Sequence, residues 1–314
     1  MKNTIPKNAL VAVPDFNGGA LFRILPAEQA VVSVFDRSFL FGDSLYEVTR
    51  SYGGILFSLE EHMQRLKRSS EMALWDEMPD FELISQMIRQ TCRQFFTING
   101  NRDVYIRVVT SRGQGDLNID PSCSSSPYSY VFVKEMGTYP ESYYKKGLHY
   151  RTSSFKRNHP ETMNPAIKSG NYLNNVLALH EAKMKGADDA LMLSINGFVT
   201  EGTTNNFFAV KNGEIWTAPL SLGILRGITR DWIFEICRNV RLPIQERLFT
   251  LPELTTADEM FMSSATKEIV PITKLNGSLV GKGTPGPITL QLAKEMKHLI
   301  ATYSMQHRAE SLFV

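Results

Sequence analysis

The sequence predicts an α+β protein built as two mixed α/β domains. Three observations carry that expectation. Segments of helical spacing alternate with β-rich runs through the first half. In the second half Asn196-Gly197 and Asn212-Gly213 each sit between β-like runs and mark tight hairpins. A polar, turn-rich stretch, "GTYPESYYKKG" (137–147), separates the halves. The expected limits are 1–138 for a smaller N-terminal α/β domain, 139–147 for an interdomain linker and 148–314 for a larger C-terminal domain. At 314 residues the chain is long enough for two cores.

In chain order, "AVVSVF" (30–35) and "GGILFS" (53–58) read as strands. "SLEEHMQRLKRSSEMAL" (58–74) reads as a helix, with Ser58 as N-cap, Glu61 completing a capping box, and Met63, Leu66, Met72 and Leu74 at helical spacing. "PDFELISQMIRQTCRQFF" (79–96) reads as a second amphipathic helix, entered from a proline and capped by Asp80. "DVYIRVVTS" (103–111) and "YSYVFVKEM" (128–136) read as buried or half-buried strands. Beyond the linker come a helix over 171–186, the hairpins "ALMLSINGFVTEG" and "FFAVKNGEIWTA", and helices over 227–240 and 286–304.

Composition excludes several classes. Hydrophobic content of 43% and charged content of 21% describe an ordinary soluble globular chain. A net charge of +2, without a basic run or acidic tail, gives no expectation of nucleic acid or membrane as partner. The first residues lack the apolar core of a signal peptide, and no stretch reaches the roughly 18 apolar residues of a membrane span. Cys92, Cys123 and Cys237 are odd in number, far apart and without a CxxC pair, which points to a reducing, cytoplasmic setting. The six histidines show no HExxH or HxH spacing, so no metal is expected.

The chemistry is read from five short segments. In "AIKSGNYLNN" (166–175) Lys168 stands among small, amide and apolar residues, and the nearest acids in sequence are Glu161 and Glu181. A lysine there is either an ordinary solvated residue or an amine for a Schiff base with a carbonyl cofactor. Glu201, in "GFVTEGTTNNFF", either caps a turn or holds a pyridine nitrogen protonated by its charge. "LRGITR" (225–230) places Gly227, Ile228 and Thr229 at a helix start, either a plain terminus or a phosphate cradle of backbone N–H groups. Arg65, in "EEHMQRLKRS", is either solvated or a bidentate phosphate ligand. "MSSATKEIVP" (262–271) offers small hydroxyl residues that could close such a cradle.

Together these segments resemble the class IV aminotransferase signature: "EGTTNNFF", then Ile215-Trp216-Thr217, then "LRGITR". "DRSFLFGDSLYEVTR" (36–50), "EEHMQRLKRS" (60–69), "SRGQGDLNIDP" (111–121), "AIKSGNYLNNVLALHEA" (166–182), "ADEMFMSSATKEIVPI" (257–272) and "GKGTPGPIT" (281–289) resemble family blocks in family order, over roughly residues 30 to 300. The resemblance implies a pyridoxal 5'-phosphate enzyme of fold type IV, D-amino acid aminotransferase-like, with the cofactor bound by the C-terminal domain. It implies Lys168 as the Schiff-base lysine and general base, and Glu201 as the partner of the pyridine nitrogen. Arg65, Gly227, Ile228 and Thr229 would bind phosphate, and Tyr172 would contact the phenolic oxygen, one residue nearer the lysine than in branched-chain enzymes. Asn206 matches the signature asparagine, with a local structural role. Where many members carry a phosphate-binding threonine this chain has Ala265, flanked by Ser264 and Thr266, which are the expected substitutes.

For the substrate, Tyr105 and Arg107 are two apart on a strand and so share a face. The same spacing in branched-chain aminotransferases serves a substrate carboxylate; an edge or structural arginine is the plain alternative. The arginine and histidine that D-amino acid transaminases carry fall here on Leu117 and Ile119, and Phe39 stands where they have a tyrosine. The expectation is therefore amino transfer between a branched-chain L-amino acid and a 2-oxo acid such as 2-oxoglutarate. The alternatives are a D-amino acid transaminase or a 4-amino-4-deoxychorismate lyase releasing pyruvate. The resemblance also implies a homodimer, for which the apolar cluster Phe35, Phe39, Leu40, Phe41, Leu45 and Tyr46 supplies a motive.

Overall fold

The structure, a computed structural model, describes residues 5–16 and 18–313. Residues 1–4, 17 and 314, which the expected domain limits include, lie outside the described residues. The chain divides into two compact units. One comprises Met1–Gly137, Ile167–Asn171 and Thr302–Val314; the other comprises Thr138–Ala166 and Tyr172–Ala301.

The first unit holds strands β1 (Leu10–Pro14), β2 (Phe22–Pro26), β3 (Ser44–Tyr52), β4 (Ile55–Leu56), β5 (Val104–Ser111) and β6 (Tyr128–Glu135). They form one antiparallel sheet in the order β2-β1-β6-β5-β3-β4. Helix α1 (Arg37–Phe41) is a single turn, while α2 (Leu59–Met72) and α3 (Phe81–Asn99) pack on one face of the sheet. Leu66, Ile88, Phe95 and Phe96 meet Ile106, Val108, Val131 and Val133 there. The expected alternation along β5 is present: Val104, Ile106 and Val108 are buried in this core, and Tyr105 and Arg107 are half-buried on the other face. Asp80 caps α3 as its sequence suggests, accepting from Leu83 N–H at 2.9 Å.

Two expectations fail in this unit. Ser58 does precede α2, but at φ 52° and without a side-chain cap bond; its N–H donates instead to the Tyr303 hydroxyl at 3.2 Å, so no capping box forms. Residues 30–35 are not a strand. Among the described residues they join no strand ladder: Gly115 N–H donates to the Phe35 carbonyl at 3.1 Å, an isolated bridge joins Asp36 to Gln114, and Val31 is 81% exposed.

The second unit carries β7 (Leu148–Thr152), β8 (Asp189–Leu193), β9 (Val199–Gly202), β10 (Asn206–Lys211), β11 (Glu214–Thr217), β12 (Ile244–Glu246), β13 (Glu259–Ser264), β14 (Glu268–Leu275) and β15 (Ser278–Leu279). The path runs β12-β11-β10-β13-β14-β7-β8-β9, and β9 also pairs with β10 through Glu201 and Asn206. Six strands thus close on one another, which removes two open edges. Tyr150, Leu191, Val199, Phe207, Met262 and Ile272 fill its core. Asn212 (φ 51°) and Gly213 (φ 82°) make the two-residue turn joining β10 to β11, as their sequence predicts.

Helices α4 (Glu141–Lys145), α5 (Pro160–Met163), α6 (Leu173–Met184), α7 (Ile228–Val240), α8 (Leu251–Leu254) and α9 (Pro287–Gln306) complete the list. Small residues let α6 lie close on β8: Ala178, Ala182, Ala190 and Met192 share a buried cluster. Residues 139–147, expected as a linker, belong to the second unit and include α4. Pro140 at its N-cap sets φ at −53°, and Glu141 pairs with Lys145 at 2.7 Å across one turn.

Candidate active site

Lys168 lies in the short segment 167–171 that runs along β3 in the first unit. Tyr46 N–H donates to the Lys168 carbonyl at 2.9 Å, Gly170 N–H donates to the Ser44 carbonyl at 2.7 Å, and Leu45 bridges Ser169. From α2 the Ser69 hydroxyl accepts the Lys168 N–H at 3.2 Å. Its side chain is half-buried, with Nζ 4.2 Å from the Tyr46 ring centroid. Two residues on, a Cβ at Gly170 would meet the Ser44 hydroxyl, so any larger residue there would have to turn that hydroxyl aside.

Arg65 comes from α2, buried rather than solvated. Its Nε and Nη2 donate to the two Glu47 oxygens at 2.8 and 2.6 Å, and His62 Nδ1 meets Glu47 Oε2 at 2.8 Å. A carboxylate only accepts, so His62 carries its proton on Nδ1. Burial acts to raise the Glu47 carboxyl, but the charge and hydrogen bonds of Arg65 and His62 hold it far below the usual carboxylate range. Burial lowers His62 and outweighs the opposing pull of Glu47; Arg65 and Lys168 lower it further. Arg107 Cζ stands 4.2 Å from the Tyr46 centroid, and Tyr105 has Lys134 Nζ 5.2 Å from its ring. Phe39, on α1, is 68% exposed and takes no part in these contacts.

In the second unit Glu201 sits on β9 with its side chain 5% exposed. Arg157 Nε donates to Oε1 at 2.9 Å, while Asn206 Nδ2 and Leu225 N–H each approach Oε2 at 3.3 Å. Glu201 is therefore a held, buried carboxylate and not a turn cap. Gly227 is the N-cap of α7 and makes no side-chain cap bond, leaving Ile228 and Thr229 in the first turn. A Cβ at Gly227 would collide with Asn206 Oδ1, so a larger residue there would displace the Asn206 amide from its present bonds. Asn206 thus ties Glu201 to the α7 entrance, since Nδ2 also donates to the Leu225 carbonyl at 2.9 Å.

Ser264 ends β13, and Ala265 and Thr266 lie in the turn to β14. Ser264 Oγ accepts from Lys267 N–H at 3.3 Å and Thr266 Oγ1 from the Tyr139 hydroxyl at 3.0 Å. Tyr172 is the half-buried N-cap residue of α6. The sequence did not single out Glu47, His62 or Arg157, and it offered Tyr46 only as part of an apolar cluster and Ser263 only as one of several small hydroxyl residues. Glu47 left one signal, a lone carboxylate inside the apolar run "SLYEV", which demands a buried cation. Arg157 left none, because nothing in "FKRNHP" sets it apart from a surface arginine.

Among the described residues no group of three or more histidines, cysteines, aspartates or glutamates could hold a metal ion. Nor is any helix there long and apolar enough to cross a membrane.

The family model for amino-transferase class IV matches residues 44–275, and the chain belongs to that family. It is 37% identical to a putative branched-chain-amino-acid aminotransferase of Methanocaldococcus jannaschii, over 88% of this chain and 94% of that protein. It is 33% identical to a D-alanine aminotransferase of Bacillus licheniformis, over 91% of this chain and 96% of that protein. Among solved structures, it superposes at TM-score 0.83 and 30% identity, covering 93% of each chain, on a T.th. branched-chain amino acid aminotransferase with pyridoxamine 5'-phosphate.

The fold is that of fold type IV, the enzyme is a transaminase and its cofactor is pyridoxal 5'-phosphate. The residues present fit that group. Buried Glu201 supplies a carboxylate of the kind a protonated ring nitrogen requires, and the uncapped N-terminus of α7 supplies N–H groups suited to phosphate. Ser263 Oγ, adjacent to Ser264 and paired in register with Asn206, is buried without a hydrogen-bond partner.

Proposed function

We propose that this chain is a branched-chain L-amino acid aminotransferase that passes the amino group to a 2-oxo acid such as 2-oxoglutarate. The observation that carries the reading is Arg107, half-buried on the same sheet face as Tyr105, where a guanidinium can take a carboxylate. The apolar Leu117 and Ile119 support it against a D-amino acid enzyme, since neither can bind a carboxylate. The M. jannaschii relative points the same way, whereas the B. licheniformis one is named for D-alanine.

Lys168 is the lysine that joins the cofactor, and its Nζ then takes a proton from the substrate Cα and returns one. Glu201 keeps the ring nitrogen charged, and Arg157 and Asn206 keep Glu201 in place. Arg65, Gly227, Ile228, Thr229, Ser264 and Thr266 hold the phosphate; Ala265 adds backbone only. Tyr172 contacts the ring oxygen, and Phe39 and Tyr105 shape the substrate end. The cofactor itself supplies the electron sink and carries the amino group between the two substrates.

The enzyme works as a homodimer in the cytoplasm. Val31, Val34, Phe35, Phe39, Leu117 and Ile119 are each 50% or more exposed, and the Arg37 guanidinium ties the two stretches together by donating to the carbonyls of Asn118 and Ile119 at 3.0 and 2.9 Å. An apolar surface of this kind supports a second copy as its cover. The three cysteines form no disulfide, and burial raises Cys237 to about 12. Amino transfer to 2-oxoglutarate from L-leucine, L-isoleucine, L-valine, D-alanine and D-glutamate tests the reading. Preference for D-alanine, or pyruvate release from aminodeoxychorismate, overturns it.

A further inference from the structure

Tyr46 has no part in the chemistry proposed so far, yet its buried ring faces two cations. Lys168 Nζ and Arg107 Cζ each lie 4.2 Å from its centroid. Backbone pairing fixes the arrangement. The Tyr46 N–H bond to the Lys168 carbonyl and the Leu45–Ser169 bridge stop the lysine backbone from sliding along β3. Tyr46 pairs with Val109 and Val48 with Arg107, so Tyr46 and Arg107 lie on one sheet face.

Arg107 from β5 shares the Tyr46 ring with Lys168, and the charge of Lys168 is felt at His62 on α2. Glu47 is engaged by Arg65 and His62. A lysine amine with cationic neighbours and partial burial tends to give up its proton. The negative face of an aromatic ring acts the other way, attracting the ammonium form.

We infer that Tyr46 is a positioning residue for Lys168, its ring holding the amine in place and favouring the protonated form whenever that amine is not joined to the cofactor. The inference rests on the role proposed for Lys168. In each half-reaction one Cα–H bond breaks as one N–H bond forms on Nζ, and the proton later returns to substrate or cofactor carbon. The ring accepts no proton. It marks the place where the loaded amine waits.

The test uses enzyme loaded with pyridoxamine 5'-phosphate, in which the lysine amine is not joined to the cofactor. With lysines labelled by carbon-13 at Cε, the Lys168 signal is assigned by its loss in Lys168→Ala and titrated by NMR. Tyr46→Phe is expected to titrate with the parent. Tyr46→Leu and Tyr46→Met are expected to titrate about 0.5 to 1 pH unit lower. Leucine and methionine variants that titrate with the parent overturn the inference; so does a phenylalanine variant that falls with them, because the hydroxyl and not the ring would then be at work. Borohydride reduction of the aldehyde-loaded parent keeps the two ideas apart. Label on a lysine other than Lys168 removes the proposed role of Lys168, while the titration still reports on the Tyr46 contact.

Discussion

Glu47 and Arg65 face each other as a two-pronged pair, with Nε to Oε1 at 2.8 Å and Nη2 to Oε2 at 2.6 Å, and neither side chain is more than 7% exposed. Removing one partner of such a pair strands a buried charge. Glu47→Ala is therefore expected to cost about 3–5 kcal/mol of stability. The double variant Glu47→Leu/Arg65→Met should recover much of that loss. Denaturant melts of the three proteins check this. Equal losses in single and double variants would show that the pair is not the source.

The same cluster sets an acid limit. Glu47 and His62 both have folded-state values below their ordinary ones, so the folded protein binds fewer protons than the unfolded chain and stability rises with pH. The His62 contribution is complete above about pH 6.5 and the Glu47 contribution above about pH 4.3, each being lost as pH falls toward its folded value. Melting temperature should thus begin to drop below about pH 6.5 and steepen below about pH 4.3. A His62→Gln protein should lose the upper part of that slope and keep the lower.

Lys168→Ala should abolish turnover while leaving some non-covalent cofactor affinity, because the phosphate contacts proposed for Arg65 and the α7 entrance remain. In the parent, borohydride should fix the cofactor on Lys168, as read by peptide mapping. A different labelled lysine contradicts the assignment.

In the role proposed for Glu201, Glu201→Gln removes the charge that would keep the ring nitrogen protonated, so amino transfer should fall by several orders of magnitude, at roughly 1.36 kcal/mol per unit of pKa lost. It also strips the buried Arg157 of its counter-charge, and a fall in melting temperature should accompany the loss of rate. Near-parent rates would mean that Glu201 only supports Arg157.

Sedimentation at micromolar concentration should show a dimer. Replacing Phe35 and Ile119 with aspartate should shift it toward monomer and lower activity, since an obligate interface buries upwards of roughly 2,000 Å². A fully active monomeric parent would show that the exposed apolar surface has another use.

Much of the local structure was legible in the sequence because it is decided locally. Asp80 specifies the start of α3, Asn212-Gly213 demands a positive-φ turn, and the two-residue period of β5 tells core face from open face. Lys168, Glu201 and the Gly227–Thr229 turn were legible for a different reason, the match of many ordered blocks to one family. Other features depended on residues distant in the chain. Ser58 looks like a cap in sequence, but Tyr303 takes its N–H. "AVVSVF" has strand composition, yet among the described residues it joins no ladder, and only the Gly115 N–H bond to Phe35 and the Asp36–Gln114 bridge follow at its end. Residues 167–171 pair with β3 more than 100 positions earlier, and that return sets Lys168 against Tyr46. Arg157 and Glu201, 44 residues apart, meet because the Arg157 N–H docks on the Leu193 carbonyl at the end of β8, the strand beside β9. Local propensity and family pattern determined the elements and the candidate residues; tertiary structure decided which buried charge meets which partner, because a desolvated ion is stable only where the fold brings its counter-charge.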